Sequence, residues 1–169
     1  MNATPPSPSK GQSVAARPGP ALGRSEALPQ VAALCWRRLG DAVEVLLITS
    51  RETGRWVIPK GWPMTGRSAA EAAGREAWQE AGVRGQVQTL PLGNYLYDKV
   101  MVPPEVLLCS VSVYALEVAA IKDRFPEADQ RQRSWFDPIT AAGLVAEPGL
   151  RDLLTSIAEQ PESLTGPVR

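Results

Sequence analysis

A chain of 169 residues with 44% apolar side chains is long enough to bury the core of one ordinary domain. Its 18 basic and 18 acidic residues cancel, so there is no global field to hold nucleic acid or an anionic membrane, and a small anionic ligand would need a local basic patch. Histidine is absent and cysteine occurs only as Cys35 and Cys109, which removes Ser-His and Cys-His nucleophilic machinery and leaves neither a disulfide framework nor a zinc site to be expected.

Residues 1–27 are rich in Pro, Ser, Gly and Ala and hold no acid before Glu26, which reads as a disordered leader. Their positive charge fits a transit peptide, although the prolines suit an amphipathic helix poorly. No apolar stretch reaches the roughly 18 residues needed to span a bilayer, so a soluble, cytoplasmic protein is expected. One domain is expected over 28–160, followed by a frayed tail at 161–169.

The runs QVAALCWRRLG and VEVLLITS around Gly40-Asp41-Ala42 predict a hairpin, and Trp56 to Ile58 a short strand leading to Gly61. Ser68 with Glu71 three residues on is a capping box, an Ala-rich run of high helix propensity follows, and Gly82 supplies the stop. Ala69, Ala70, Ala72, Ala73, Ala77 and Ala81 keep this helix slim enough for close packing on a sheet. At about 100° per residue, Glu76, Gln79 and Glu80 share one arc. They form either a solvated polar face or a shelf of hard oxygen donors for Mg²⁺ or Mn²⁺.

Beyond the helix, residues 84–99 predict a strand pair or a bent strand with a turn near Asn94-Tyr95. Tyr95, Tyr97 and Lys99 alternate and would share one strand face, for stacking, for phosphate contact, or for packing over the sheet. Pro103-Pro104 requires a loop or strand entry. The β-rich run from Glu105 to Ala119 suits a central strand. RQRSWF predicts a last strand, Asp137-Pro138 the N-cap and first residue of a short helix, and Gly149 to Gln160 an amphipathic helix with Leu150, Leu153, Leu154 and Ile157 on one face. The fold class expected is an α/β sandwich with a mixed sheet between helices.

Gly61, Arg75, Glu76, Ala77, Glu80, Gly82 and Val83 stand at the spacing of the Nudix box, and the stretch from Gly61 to Val83 resembles that signature of the Nudix hydrolases. Arg67 and Gln79 stand where the pattern has glutamates. The resemblance implies the α/β/α Nudix sandwich and metal-dependent hydrolysis of a diphosphate or longer polyphosphate by water attack at phosphorus. Mg²⁺ or Mn²⁺ would be held by Glu76, Glu80, Gln79 and the Gly61 carbonyl. VLLITSRETGRWVIPKGWPM is similar to the stretch entering the box in the diphosphoinositol polyphosphate and diadenosine polyphosphate hydrolases, which implies a dinucleoside polyphosphate or inositol pyrophosphate substrate. Ser50, Arg51, Arg55 and Lys60 would line its phosphate side, the arginines clamping phosphate through charge-assisted bonds.

QRQRSWF is similar to the basic strand near the end of the same families and adds Arg131 and Arg133. Glu127 is the candidate for a distal carboxylate brought from a loop outside the box, with Glu105, Asp123 and Asp129 competing. The water's proton would go to one of the box carboxylates or to Glu127, and Arg75 would orient Glu76 or pair with Glu71. Gln79 offers oxygen without charge, which keeps open a catalytically weakened module that binds a phosphate-bearing ligand. Arg67, a cation opposed by the positive end of the helix dipole, would help to bind an anion.

Overall fold

The computed structural model describes residues 26–166, so nearly all of the expected leader and the last three residues lie outside the described residues. Strands β1 (Leu28–Leu39) and β2 (Ala42–Thr49) form the expected hairpin, with Leu39 opposite Ala42 and Trp36 opposite Val45. A short β3 (Trp56–Val57) returns along β2, and a two-residue β4 (Lys60–Gly61), not predicted from the sequence, pairs with Val31 and Ala32 of β1. Helix α1 (Ala69–Ala81) leads into β5 (Val83–Val87), β6 (Gly93–Val100) and the sixteen-residue β7 (Val106–Ile121). Strand β8 (Arg133–Phe136) pairs with β2, and α2 (Pro138–Leu144) and α3 (Pro148–Glu159) complete the regular elements.

The sheet is mixed because β1 and β7 run parallel while every other pairing is antiparallel. Strand β7 is shared by three partners: β1 along one edge, β6 beside its first half and β5 beside its end. Strand β1 is covered on both faces, which is why its sequence reads as a continuous apolar run rather than an alternation. Ala32, Leu34 and Trp36 pack toward α2 and α3, and Val31, Ala33 and Cys35 toward α1.

Helix α1 lies close on the sheet through Ala72, Ala73, Ala77 and Ala81, none of which is exposed. Enlarging any of them would overpack the layer at about 1–3 kcal/mol. Both of its caps form as the sequence predicts: Ser68 accepts from the Glu71 N–H, Glu71 reaches back to the Ser68 N–H, and Gly82 turns left-handed at φ 67°. A Cβ at Gly82 would also run into Phe125, so the helix stop and the packing of the following loop require the same glycine.

Two expectations are corrected. Asn94 and Tyr95 lie inside β6 rather than at a turn, their backbones paired with Ser112 and Val111. Residues Pro161–Thr165 form a 3-10 turn whose Leu164 is fully buried in the core, so the apolar contact there outweighs fraying. No helix among the described residues is long and apolar enough to cross a membrane.

Candidate active site

A cavity of about 1120 Å³ opens where β4 meets β1 at the end of the sheet. One wall is the polar face of α1, with Glu76, Gln79 and Glu80 lining it as the helical period requires. Glu76 lies against the backbone of Gly61, and a Cβ there would collide with its carboxylate. The glycine that starts the box loop is thus explained by close approach.

Glu80 is 5% exposed and accepts from the Lys60 backbone N–H at 3.3 Å. Its second oxygen pairs with Arg131 Nη2 at 3.1 Å. The same guanidinium donates through Nε and Nη2 to Glu127 Oε1 at 3.1 and 3.0 Å and through Nη1 to the Thr49 carbonyl at 3.0 Å. Glu127 is 8% exposed and is held on α1 by its own N–H, which donates to the Gln79 carbonyl at 3.1 Å. Arg51 approaches Glu127 from the β2–β3 turn at 3.4 Å. One arginine therefore ties β2, the loop before β8 and the helix together.

Burial pushes the Glu80 carboxyl up to about 7, with the charges of Glu76 and Glu127 adding to it and those of Arg131 and Lys60 opposing it. Burial and the Glu127 charge likewise raise Glu76, against Arg131. Burial lowers the Lys60 ammonium, opposed by Glu80 and Glu147, and its Nζ stands 5.1 Å from the centre of the Tyr97 ring.

Ser50, Arg51, Arg55 and Lys60 line the cavity, as do Lys99, Glu127 and Arg131. The Ser50 hydroxyl also accepts from the Thr53 N–H at 3.1 Å, which fixes the turn that carries Arg51 and Arg55. Of the competing carboxylates, Asp123 pairs with Arg133 away from the cavity, and Glu105 and Asp129 are exposed outside it.

Four expected site residues lie elsewhere. Tyr95 is 3% exposed within the core beneath α3, because the shared face of β6 is covered by that helix at its first half. Arg133 donates to the Ala81 carbonyl, pairs with Asp123 at 3.2 Å and lies over Phe125 at 4.8 Å. It supplies the cation that the last turn of α1 lacks. Arg67 and Arg75 are exposed outside the cavity, and among the described residues Arg75 pairs with neither Glu71 nor Glu76.

Sequence reasoning missed Gln30, buried in β1 and accepting from the Tyr97 hydroxyl at 2.6 Å. It also missed Trp62 and Glu147, which line the cavity. A glutamate before Pro148 at the start of α3 is a poor N-cap, and that was the available signal for Glu147.

The donor set suits a small hard cation. Glu76, Glu80 and the Gln79 amide offer oxygens on one face beside Gly61, while no cluster of three or more acidic or sulfur and nitrogen ligands closes around a point among the described residues. Mg²⁺ commonly takes one or two carboxylates and completes its shell with water and substrate phosphate.

The NUDIX domain family model matches residues 28–155. The chain is 34% identical over 118 residues to Nudix hydrolase 16, mitochondrial, of Arabidopsis thaliana, covering 68% of this chain and 65% of that relative. It is 30% identical over 109 residues to diphosphoinositol polyphosphate phosphohydrolase 3-beta of Bos taurus, covering 63% and 62%. The chain thus spans less than two thirds of the length of these curated relatives. Among solved structures, the Ap4A hydrolase of C. elegans superposes with a TM-score of 0.56 at 18% identity, over 79% of this chain and 97% of that one.

Proposed function

The chain belongs to the NUDIX domain family, and from that premise we propose that it is a metal-dependent pyrophosphohydrolase of dinucleoside polyphosphates or inositol pyrophosphates. The observation that carries this reading is the face of Glu76, Gln79 and Glu80 on one wall of a cavity that Arg51, Arg55 and Lys60 also line. Acid oxygens for a cation and guanidinium forks for phosphate then meet in one space. The names of the relatives, a diphosphoinositol polyphosphate phosphohydrolase and an Ap4A hydrolase, support the two substrate classes.

Glu76, Glu80 and the Gln79 and Gly61 oxygens would hold Mg²⁺ or Mn²⁺. Such an ion supplies charge neutralisation on the phosphates and a more acidic water. Arg51 and Arg55, carried on the Ser50–Arg55 turn, would bind the polyphosphate within the same cavity. Glu80 is fixed by Arg131 and the Lys60 N–H. Glu127 already accepts two Arg131 donors, so it acts by positioning that guanidinium. Burial raises both carboxyls, Glu80 to about 7, and a raised carboxylate is suited to take the attacking water's proton. Glu76, the more open of the two, is the better placed.

A second reading, a weakened module that binds a phosphate-bearing ligand without turnover, is favoured by the uncharged Gln79 and by Arg131 already neutralising Glu80. The test is phosphate release from diadenosine polyphosphates, inositol pyrophosphates, nucleoside triphosphates and sugar nucleotides with Mg²⁺ or Mn²⁺. Metal-dependent turnover that falls at least 100-fold in Glu80→Gln supports the hydrolase. Silence in the wild type, with turnover appearing in Gln79→Glu, supports the module.

A further inference from the structure

We propose that the cavity also takes a diphosphate joined to a branched hydrocarbon chain, an isoprenoid diphosphate, with the chain lying along the open face of the β6–β7 hairpin. The proposal rests on the phosphate-site reading above for the head of the ligand and adds a ligand class to it. Five of the twelve large apolar side chains exposed among the described residues fall within residues 96–106, at the turn end of that hairpin: Leu96, Val100, Met101, Val102 and Val106. A single exposed apolar side chain is ordinary, whereas a group of them in one place marks a surface that something covers.

Strand pairing puts most of this group on one face. Val100 stands opposite Val106, Asp98 opposite Leu108 and Leu96 opposite Ser110, and opposed residues share a face while neighbours along a strand alternate. The other face carries Tyr95 and is covered by α3. This face is left open among the described residues. Helix α1 meets β7 at Tyr114 and Leu116, and Leu96, Val100, Val106 and Leu108 belong to neither packed cluster.

The strip is also part of the cavity, since Leu96, Val100 and Leu108 line it together with the phosphate-side Arg51 and Arg55. At about 1120 Å³, the cavity exceeds the roughly 300–1,000 Å³ usual for small-molecule sites, which leaves room beyond a diphosphate and its ion. From Leu96 to Val100 the strand rises about 13 Å, so several isoprene units, and not only the first carbons, have a surface to lie on. Asp98 is the single charged side chain on this face of the hairpin, and it repels any further phosphate laid along the strip. The polar groups beside it are occupied, Asn94 accepting from Ser110 and donating to Ser112. What the strip offers a ligand is aliphatic contact beside one acid. A second copy or a bilayer seated here would not explain why the same side chains line the cavity that holds the guanidinium groups. A ligand with an anionic head and an apolar chain meets both.

The experiment is calorimetric binding to the full chain, with Mg²⁺, of methylenediphosphonate monoesters, whose bridge resists hydrolysis, carrying a methyl, geranyl or farnesyl group below its micelle concentration. Wild type is expected to bind the farnesyl ester at least about 30-fold tighter than the methyl ester, with the geranyl ester between them. Leu96→Gln and Val100→Gln, at exposed strand positions and checked by thermal melts, are expected to cut that ratio about fivefold or more, whereas Arg51→Ala weakens both esters and keeps the ratio. A wild-type ratio below about threefold, or a ratio unchanged in both folded variants, overturns the proposal while methyl-ester binding leaves the phosphate-site reading intact. Failure of all three esters to bind removes the phosphate-site reading with it. The proposal also falls if wild type sediments as a dimer that Leu96→Gln dissociates, or if it binds phosphatidylcholine vesicles through the same residues. The chain-length gain without phosphate release from farnesyl diphosphate would remove the hydrolase reading and leave this one standing.

Discussion

The two walls of the cavity hold their most buried carboxylates differently. On the α1 side, Glu80 and Glu127 share one buried arginine and take a backbone N–H or a second arginine besides. On the α3 side, Glu147 keeps an oxygen that nothing among the described residues meets. Acids held by their own protein build a rigid wall, whereas Glu147 carries a buried oxygen that no such tie fixes. The difference is one of how firmly each wall is tied within a single cavity, and it can be tested from the α1 side.

The largest effect is expected from Arg131→Ala. The side chains of Arg131, Glu80 and Glu127 are 9%, 6% and 10% exposed, so removing the arginine strands two buried carboxylates and should cost about 3–5 kcal/mol, read by urea unfolding. A loss below 1 kcal/mol would show that the acid wall does not depend on its shared cation. Gly61→Ala comes next. Its Cβ would displace the Glu76 carboxylate, and kcat/KM should fall about 100-fold, about 2.7 kcal/mol of transition-state stabilisation, with the circular dichroism spectrum retained.

The third prediction concerns pH. Glu80 ionises at about 7 in the fold against 4.5 for an ordinary glutamate, so the native state binds the extra proton between those values. Stability of the metal-free protein should therefore fall as pH rises from about 4.5 to about 7, by less than about 1.4 kcal/mol per pH unit. Glu80→Gln should remove that slope in thermal melts, and a parallel slope in the variant would place the titration elsewhere. The smallest effect is expected from Gln79→Glu, which adds charge beside Glu76 and should tighten Mg²⁺ about fivefold, or about 1 kcal/mol, by calorimetry. Unchanged affinity would mean that Gln79 lies outside the ion's shell.

What could be read in advance follows the range of the interactions. The ends of α1 were legible because a capping box and a left-handed glycine are written within four residues, and the period of the helix put Glu76, Gln79 and Glu80 on one face. Glu127 was found through the family resemblance, but its tie to α1 through the Gln79 carbonyl is a backbone contact across 48 residues that no pattern encodes. Arg131 and Arg133 look alike in sequence, two basic residues at strand spacing. Only the loop's path shows that the first enters the cavity and the second caps the end of α1. Tyr95 and Tyr97 diverge in the same way, since the helix that covers one and leaves the other at the cavity comes from more than fifty residues downstream.

The parallel pairing of β1 with β7 joins residues about eighty positions apart, Leu28 beside Cys109. Closing so long a loop precedes the contacts that reward it, which slows folding. During synthesis the apolar β1 emerges first and waits for β7 with one edge unmatched, open to association with other chains. Because Lys60 and Gly61 pair with β1 while β6 pairs with β7, each side of the cavity can form on its own strand, and the two come together only when those strands meet. The cavity is closed by that one late pairing.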